Sequence, residues 1–284
     1  MTMSGVDERD MRPPFMEMLR RSFSAWWRGI IGLPVLFGGV FVLLTVFWLL
    51  ENAFGSRLVH QVVAQWEFST LALRLVQTVI TGALIQPLSI ALQLLTLRQI
   101  KPDRRAIARA FPAYYAWGTL LNVTGLLAVN PSILVRVFKV DSGIAFGGAL
   151  LVMLLWAAVE ARLWLIFPAA ALNVRTGFLH RAAESWAQTR GNFWYIFGIL
   201  LLLTLVLIVP LGVLQYLESA SGMYYALLGP DRIFTVSAIL VAATSAARSM
   251  LNETLTAAAG ACFYRALVEG GGPADVEGTA AHFT

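Results

Sequence analysis

Two stretches of this chain place charges where apolar residues would otherwise run unbroken. LLWAAVEARLWLIF holds Glu160 and Arg162, and ATSAARSMLNETLTAAAG holds Arg248, Asn252 and Glu253. A charge at the centre of a helix in lipid costs about 3 kcal/mol on insertion scales, so such residues face a bundle interior and pair there. In the second stretch the polar residues recur at helical spacing. Thr244, Arg248, Asn252 and Thr256 stand every four residues, with Ser245, Ser249 and Glu253 beside them. Three kinds of chemistry suit this set. Arg162 with Glu253 and Arg248 with Glu160 could form ion pairs that fix helix packing. A cationic polar cavity could hold a lipid phosphate or an anionic solute. The two glutamates could instead relay protons. Arg162 has a further option, which is to snorkel to water.

Catalysis finds less support. Two glutamates at membrane depth do not make an aqueous acid–base pair, and no glycine loop is placed to cradle a phosphate. His60, His180 and His282 are too scattered to serve a nucleophile or pair as metal ligands. Cys262 is the only cysteine, so intramolecular disulfides and cysteine-type metal sites are excluded. The expectation is a non-enzymatic protein with no cofactor and no metal site.

The elements that must carry these charges are apolar helices. Of 284 residues, 58% are hydrophobic and 13% charged, against roughly 25% charged in soluble domains. An all-α polytopic membrane bundle follows. A span needs about 20 apolar residues as helix, and six segments qualify: about 30–50, 70–97, 113–129, 144–172, 193–214, and one within 233–268. The first apolar run follows Pro13-Pro14 and five arginines and is long enough to be a retained span rather than a cleaved signal. Residues 1–29 read as a tail and interfacial helix, 30–268 as the membrane domain, and 269–284 as a flexible tail. The second span carries Gln86, Ser89, Gln93 and Thr96 on one face, whereas the fifth has only Thr204 and reads as lipid-facing. Fourteen Lys and Arg fall on one side of the six spans and four on the other, which places both termini in the cytoplasm. The net charge of +5 therefore reads as topology and contact with membrane phospholipids, not as nucleic-acid binding.

Three spans are preceded by an amphipathic stretch suited to the headgroup plane. FMEMLRRSFSAWWR brings Trp26 and Arg28; PDRRAIARAFPAYYAWG brings Arg109 and Trp117; FLHRAAESWAQTRGNFW brings Trp186, Arg190 and Trp194. These seven residues are the expected interfacial anchors. Arg28, Arg109 and Arg190 stand at equal intervals of 81 residues. The pattern is that of a threefold repeat of interfacial helix plus helical hairpin, or of six spans that fall into three hairpins by counting alone.

ESWAQTRGNFWYIFGILLLL and AAGACFYRALVEG resemble a bacterial six-span membrane family that includes the membrane domain of some glycerophosphoryl diester phosphodiesterases and stand-alone relatives. The resemblance implies a six-helix protein of the bacterial inner membrane. It implies no phosphodiesterase activity, because the family's soluble catalytic barrel has no counterpart in this sequence. The functional expectation is lipid binding or support of envelope organisation through a polar intramembrane cavity. The alternatives are a small transporter or channel for an anionic solute or lipid, and an accessory subunit of another membrane protein.

Overall fold

Pro34 sets the first corner of the fold. Proline has no N–H to donate and disfavours helical backbone at the residue before it. Leu33 leaves helical geometry accordingly, with φ −128° and ψ 44°. Helix α1 (Phe15–Gly32) ends there, and α2 (Pro34–Leu50) departs at 89°. The computed structural model describes residues 13–52, 69–98, 102–129, 142–172, 177–228 and 235–267. Beyond α2 it contains α3 (Ser69–Arg98), α4 (Arg104–Val129), α5 (Ser142–Leu163), α6 (Ile166–Leu172), α7 (Phe178–Thr189), α8 (Phe193–Leu228) and α9 (Val236–Leu267). Among the described residues there is no strand. The tail expectations for residues 1–12 and 268–284, and His60 and His282, lie outside them.

A second proline breaks the α5–α6 span. The ring of Pro168 opposes the carbonyl four residues earlier, that of Trp164, and the helix is interrupted at Trp164-Leu165. The middle amphipathic stretch behaves differently from expectation. Asp103 caps α4 by accepting from the Ala106 N–H at 2.6 Å, and one helix then runs through Arg109, Pro112 and Trp117 without a corner. Nothing there interrupts the chain as Leu33-Pro34 and the turn at 190–192 do at the other two junctions. A separate surface helix is therefore present at two of the three expected places.

By length and composition, Ala72–Arg98, Leu151–Leu172 and Phe193–Ala220 are able to cross a membrane, and the bent pair α1–α2 makes a fourth if counted as one span. The other expected spans do not reach that length and composition among the described residues, for physical reasons. α2 has 17 residues, the first turns of α4 carry Arg104, Arg105 and Arg109, and α9 is diluted by its polar stripe.

α9 forms the centre and packs against α1, α2, α3, α6 and α8. Its small residues Ala257, Ala258, Ala259, Gly260 and Ala261 are buried and allow close approach. At one end Leu255, Ala259 and Phe263 meet Met18 and Leu19 of α1 and Ile196, Ile199 and Leu203 of α8. Toward the other, Ala246 and Met250 meet Val40 and Leu44 of α2 and Ile85 and Leu88 of α3.

Both surface helices keep some large apolar residues on the outside. α1 buries Met18, Ser22, Ala25 and Gly29 but leaves Trp27 and Ile31 exposed. α7 turns Arg181, Ser185 and Thr189 inward and presents Leu179, 78% exposed, and Trp186 outward. An outward apolar face of this kind suits the boundary of a bilayer. At the start of α1, Arg20 and Arg21 both bond the Glu17 carboxylate and hold it down at about 2.

Trp26 corrects the anchor reading. It points into the bundle, where its indole N–H donates to Thr254 Oγ1 of α9 at 2.8 Å, and Trp27 is the exposed indole of the pair. Neighbours on a helix stand about 100° apart, so only one of the two can face lipid. Trp26→Phe should lower stability by about 1 kcal/mol, the usual net worth of such a bond. Thermal unfolding of Trp26→Phe, Thr254→Val and the double variant checks it; strictly additive losses would show that the bond contributes nothing.

Candidate functional site: a polar cavity at membrane depth

The stripe on α9 faces a partly open hollow lined by its neighbours. With 3.6 residues per turn, Arg248, Ser249, Asn252 and Glu253 share one side of α9, and all four line a cavity of about 610 Å³. α3 contributes Thr78, Thr81 and Gln86, α4 contributes Asn122, and α5 contributes Trp156 and Glu160. The polar face expected on the second span is real: Gln86, Ser89 and Gln93 are all buried, and Gln93 donates to the Ala257 carbonyl at 3.3 Å. Gln86 fits because α4 offers Gly118 opposite it; a Cβ there would collide with the Gln86 amide.

The structure thus brings Glu160, Arg248, Asn252 and Glu253 to one cavity and leaves Arg162 out. Arg162 stands two residues from Glu160, about 200° around the helix. Its guanidinium lies 5.4 Å from the Trp186 ring centroid and 4.6 Å from that of Phe193, a cation–π seat between α7 and α8. Its carbonyl, next to the α5–α6 break, accepts from Ser185 Oγ at 2.8 Å and Thr189 Oγ1 at 3.3 Å. This carbonyl joins α7 to the end of α5.

The ion pairs read from the sequence are replaced by another. Arg248 pairs with Glu218 at 3.3 Å and donates to Gln215 Oε1. Both partners lie on α8, which continues past Pro210. The sequence reading ended the fifth span at Leu214 and missed them. The available signal was a glutamine and a glutamate three residues apart, hence on one helix face. Among the described residues Glu160 and Glu253 have neither an ion-pair nor a hydrogen-bond partner. The charge left unanswered at the cavity wall is negative.

The remaining anchors separate into two groups. Trp186, Trp194, Arg28, Arg109 and Arg190 are exposed, Trp194 to 77%. Trp117 is buried, because α4 runs straight and turns that side of the helix into the bundle. Its expected belt partner Tyr114 is likewise buried and packs on Phe167, with ring centroids 5.0 Å apart. Among the described residues no three His, Cys, Asp or Glu side chains converge as metal ligands. No family model matches the chain, and no curated protein or solved structure is significantly similar to it.

Proposed function

We propose that this is a non-enzymatic, multi-pass protein of the bacterial inner membrane that receives a membrane lipid or a small solute in the cavity between α3, α4, α5 and α9. The cavity itself carries the reading: about 610 Å³ of polar-lined space within helices that are otherwise apolar. Polar groups at membrane depth are costly, and lining a binding site or a pathway is a common reason to keep them. In this reading α2, α3, α4, α5 with α6, α8 and α9 make six crossings. Both termini then lie on the side rich in Lys and Arg. The outward apolar faces of α1 and α7 support contact with headgroups. The succession α1–α3, α4–α6 and α7–α9, each an outgoing and a returning helix, supports descent from three repeated units. Kinship with the six-span family is proposed on the two sequence stretches that resemble it.

Filling the cavity tests this. Asn252 lies on its wall and is exposed to it, so Asn252→Phe should occupy the space without disturbing the packed side of α9. In native mass spectrometry of protein extracted in mild detergent, the wild type is expected to retain a bound molecule. The Asn252→Phe protein, melting at a similar temperature, is expected to lose it. Equal retention by both would place binding elsewhere and defeat the reading.

A further inference from the structure

We propose that the cavity selects an ammonium-bearing group, with the carboxylates of Glu160 and Glu253 as its counter-charge and the Gln86 side-chain carbonyl as an additional acceptor. This rests on the cavity being a binding site, and it names what that site takes.

Three observations converge. Among the described residues the one cationic side chain on the wall, Arg248, is already engaged by Glu218 and Gln215 of α8, so it does not present a free positive charge to an anion. On the same wall, Glu160 on α5 and Glu253 on α9 enter the cavity from different helices, and neither is paired among the described residues. Third, Gln86 is 4% exposed, lines the cavity, and has a buried Oε1 with no hydrogen-bond partner. A buried amide oxygen without a donor costs free energy. The site lacks a donor that would satisfy Gln86 and carry the charge that Glu160 and Glu253 lack. An alkylammonium does both, because each of its N–H groups seeks an acceptor. Trp156, on the same wall, adds an aromatic surface, the usual companion of carboxylates around organic cations. Since no third His, Cys, Asp or Glu joins the two glutamates among the described residues, the wall suits an organic cation better than a tightly chelated metal ion.

The same ammonium chemistry occurs in the headgroup of phosphatidylethanolamine and in free amines, and the experiment separates the two. The full chain is placed in nanodiscs of phosphatidylglycerol alone and of phosphatidylglycerol with phosphatidylethanolamine, and the lipids that stay with the protein are counted by native mass spectrometry. In parallel, ethylammonium chloride is titrated against the phosphatidylglycerol sample, with sodium chloride as the ionic-strength control, and thermal stabilisation is read. Selective retention of phosphatidylethanolamine identifies a lipid occupant, and stabilisation by ethylammonium above the sodium control identifies a free amine. In either arm Glu253→Gln and Glu160→Gln should each weaken the effect at least tenfold. Gln86→Leu should weaken it less, and a Ser24→Ala control on the exposed side of α1 should leave it unchanged. Should one glutamine variant fail to fold, the other still decides the matter, since the two carboxylates lie on different helices.

Two failures are distinguishable. If the wild type retains lipid that Asn252→Phe excludes, but phosphatidylglycerol is held as well as phosphatidylethanolamine and the glutamine variants bind unchanged, the ammonium assignment is overturned while the cavity remains a binding site. If the wild type retains nothing in either nanodisc and ethylammonium acts no differently from sodium, both are overturned.

Discussion

Arg248→Gln should destabilise the protein sharply, and adding Glu218→Gln should restore most of the loss. The single substitution removes the countercharge of Glu218, which lies 3.3 Å away, and leaves a carboxylate without its ion-pair partner. Removing one partner of a buried pair costs about 3–5 kcal/mol, chiefly because the other charge stays behind. The low end applies here, since the side chains are 33% and 22% exposed rather than enclosed. For a chain of this size about 3 kcal/mol corresponds to a fall of roughly 10 °C in melting temperature. Glu218→Gln in the same chain replaces the orphaned charge with an amide that can bond a neutral partner at position 248. Thermal unfolding of the two single variants and the double variant is the measurement. A double variant as unstable as Arg248→Gln would show that Arg248 acts through something other than Glu218.

The second large effect is expected at Gly29→Val. α1 lies so close to α3 here that a Cβ at position 29 would overlap Leu92 Cδ1. A flexible side chain usually moves aside, but Leu92 is fully buried and packed with Ala25 and Ala258, which leaves it little freedom. Overpacking of this kind costs about 1–3 kcal/mol. It should also loosen α1, which is joined to α9 through Trp26 and Thr254. Limited proteolysis near the N-terminus together with the melting temperature reads both consequences. Leu92→Ala in the same chain should recover much of the stability by clearing the space. Unchanged unfolding and protease resistance in Gly29→Val would mean that α1 can shift outward without penalty.

How much of this was legible in the sequence depends on whether the signal was local or between helices. The polar stripe of α9 was legible because a four-residue spacing fixes which residues share a face whatever surrounds the helix. Its central place followed from the same residues, since neither its charges nor its alanines suit lipid. Four of the five charged and polar candidates share one cavity for that reason. The partners were not legible. Pairing Arg248 with Glu160 rather than Glu218 was a choice among acids on different helices, and helix rotation and depth, which decide it, leave no mark in a single sequence. Arg162 illustrates the limit within one helix: its two-residue offset from Glu160 already put it on another face. The corners were half legible. Pro34 marked one more sharply than Gly29 did, because a missing N–H and a steric clash interrupt a helix, whereas a glycine also serves where two helices touch. Of the paired indoles Trp26 and Trp27, periodicity could show that one faces lipid, but not which.

The attachment of α1 has a consequence for the order in which the chain comes together. This helix is made well before the groups that seat it. Tyr195 of α8, whose hydroxyl donates to the Pro13 carbonyl, follows it by 182 residues, and Thr254 of α9, which accepts from Trp26, by 228. At about 5–20 residues per second of synthesis, the latter interval is on the order of 10–50 s. Throughout it α1 has exposed apolar residues that can rest on the membrane surface and an inner side whose docking place, begun by Leu92 of α3, is incomplete. α7 has no such wait, because the Arg162 carbonyl that receives Ser185 and Thr189 is already upstream of it. Among the described helices α9, which closes the bundle, follows all the others, and α1, which precedes them, is among the last to be locked.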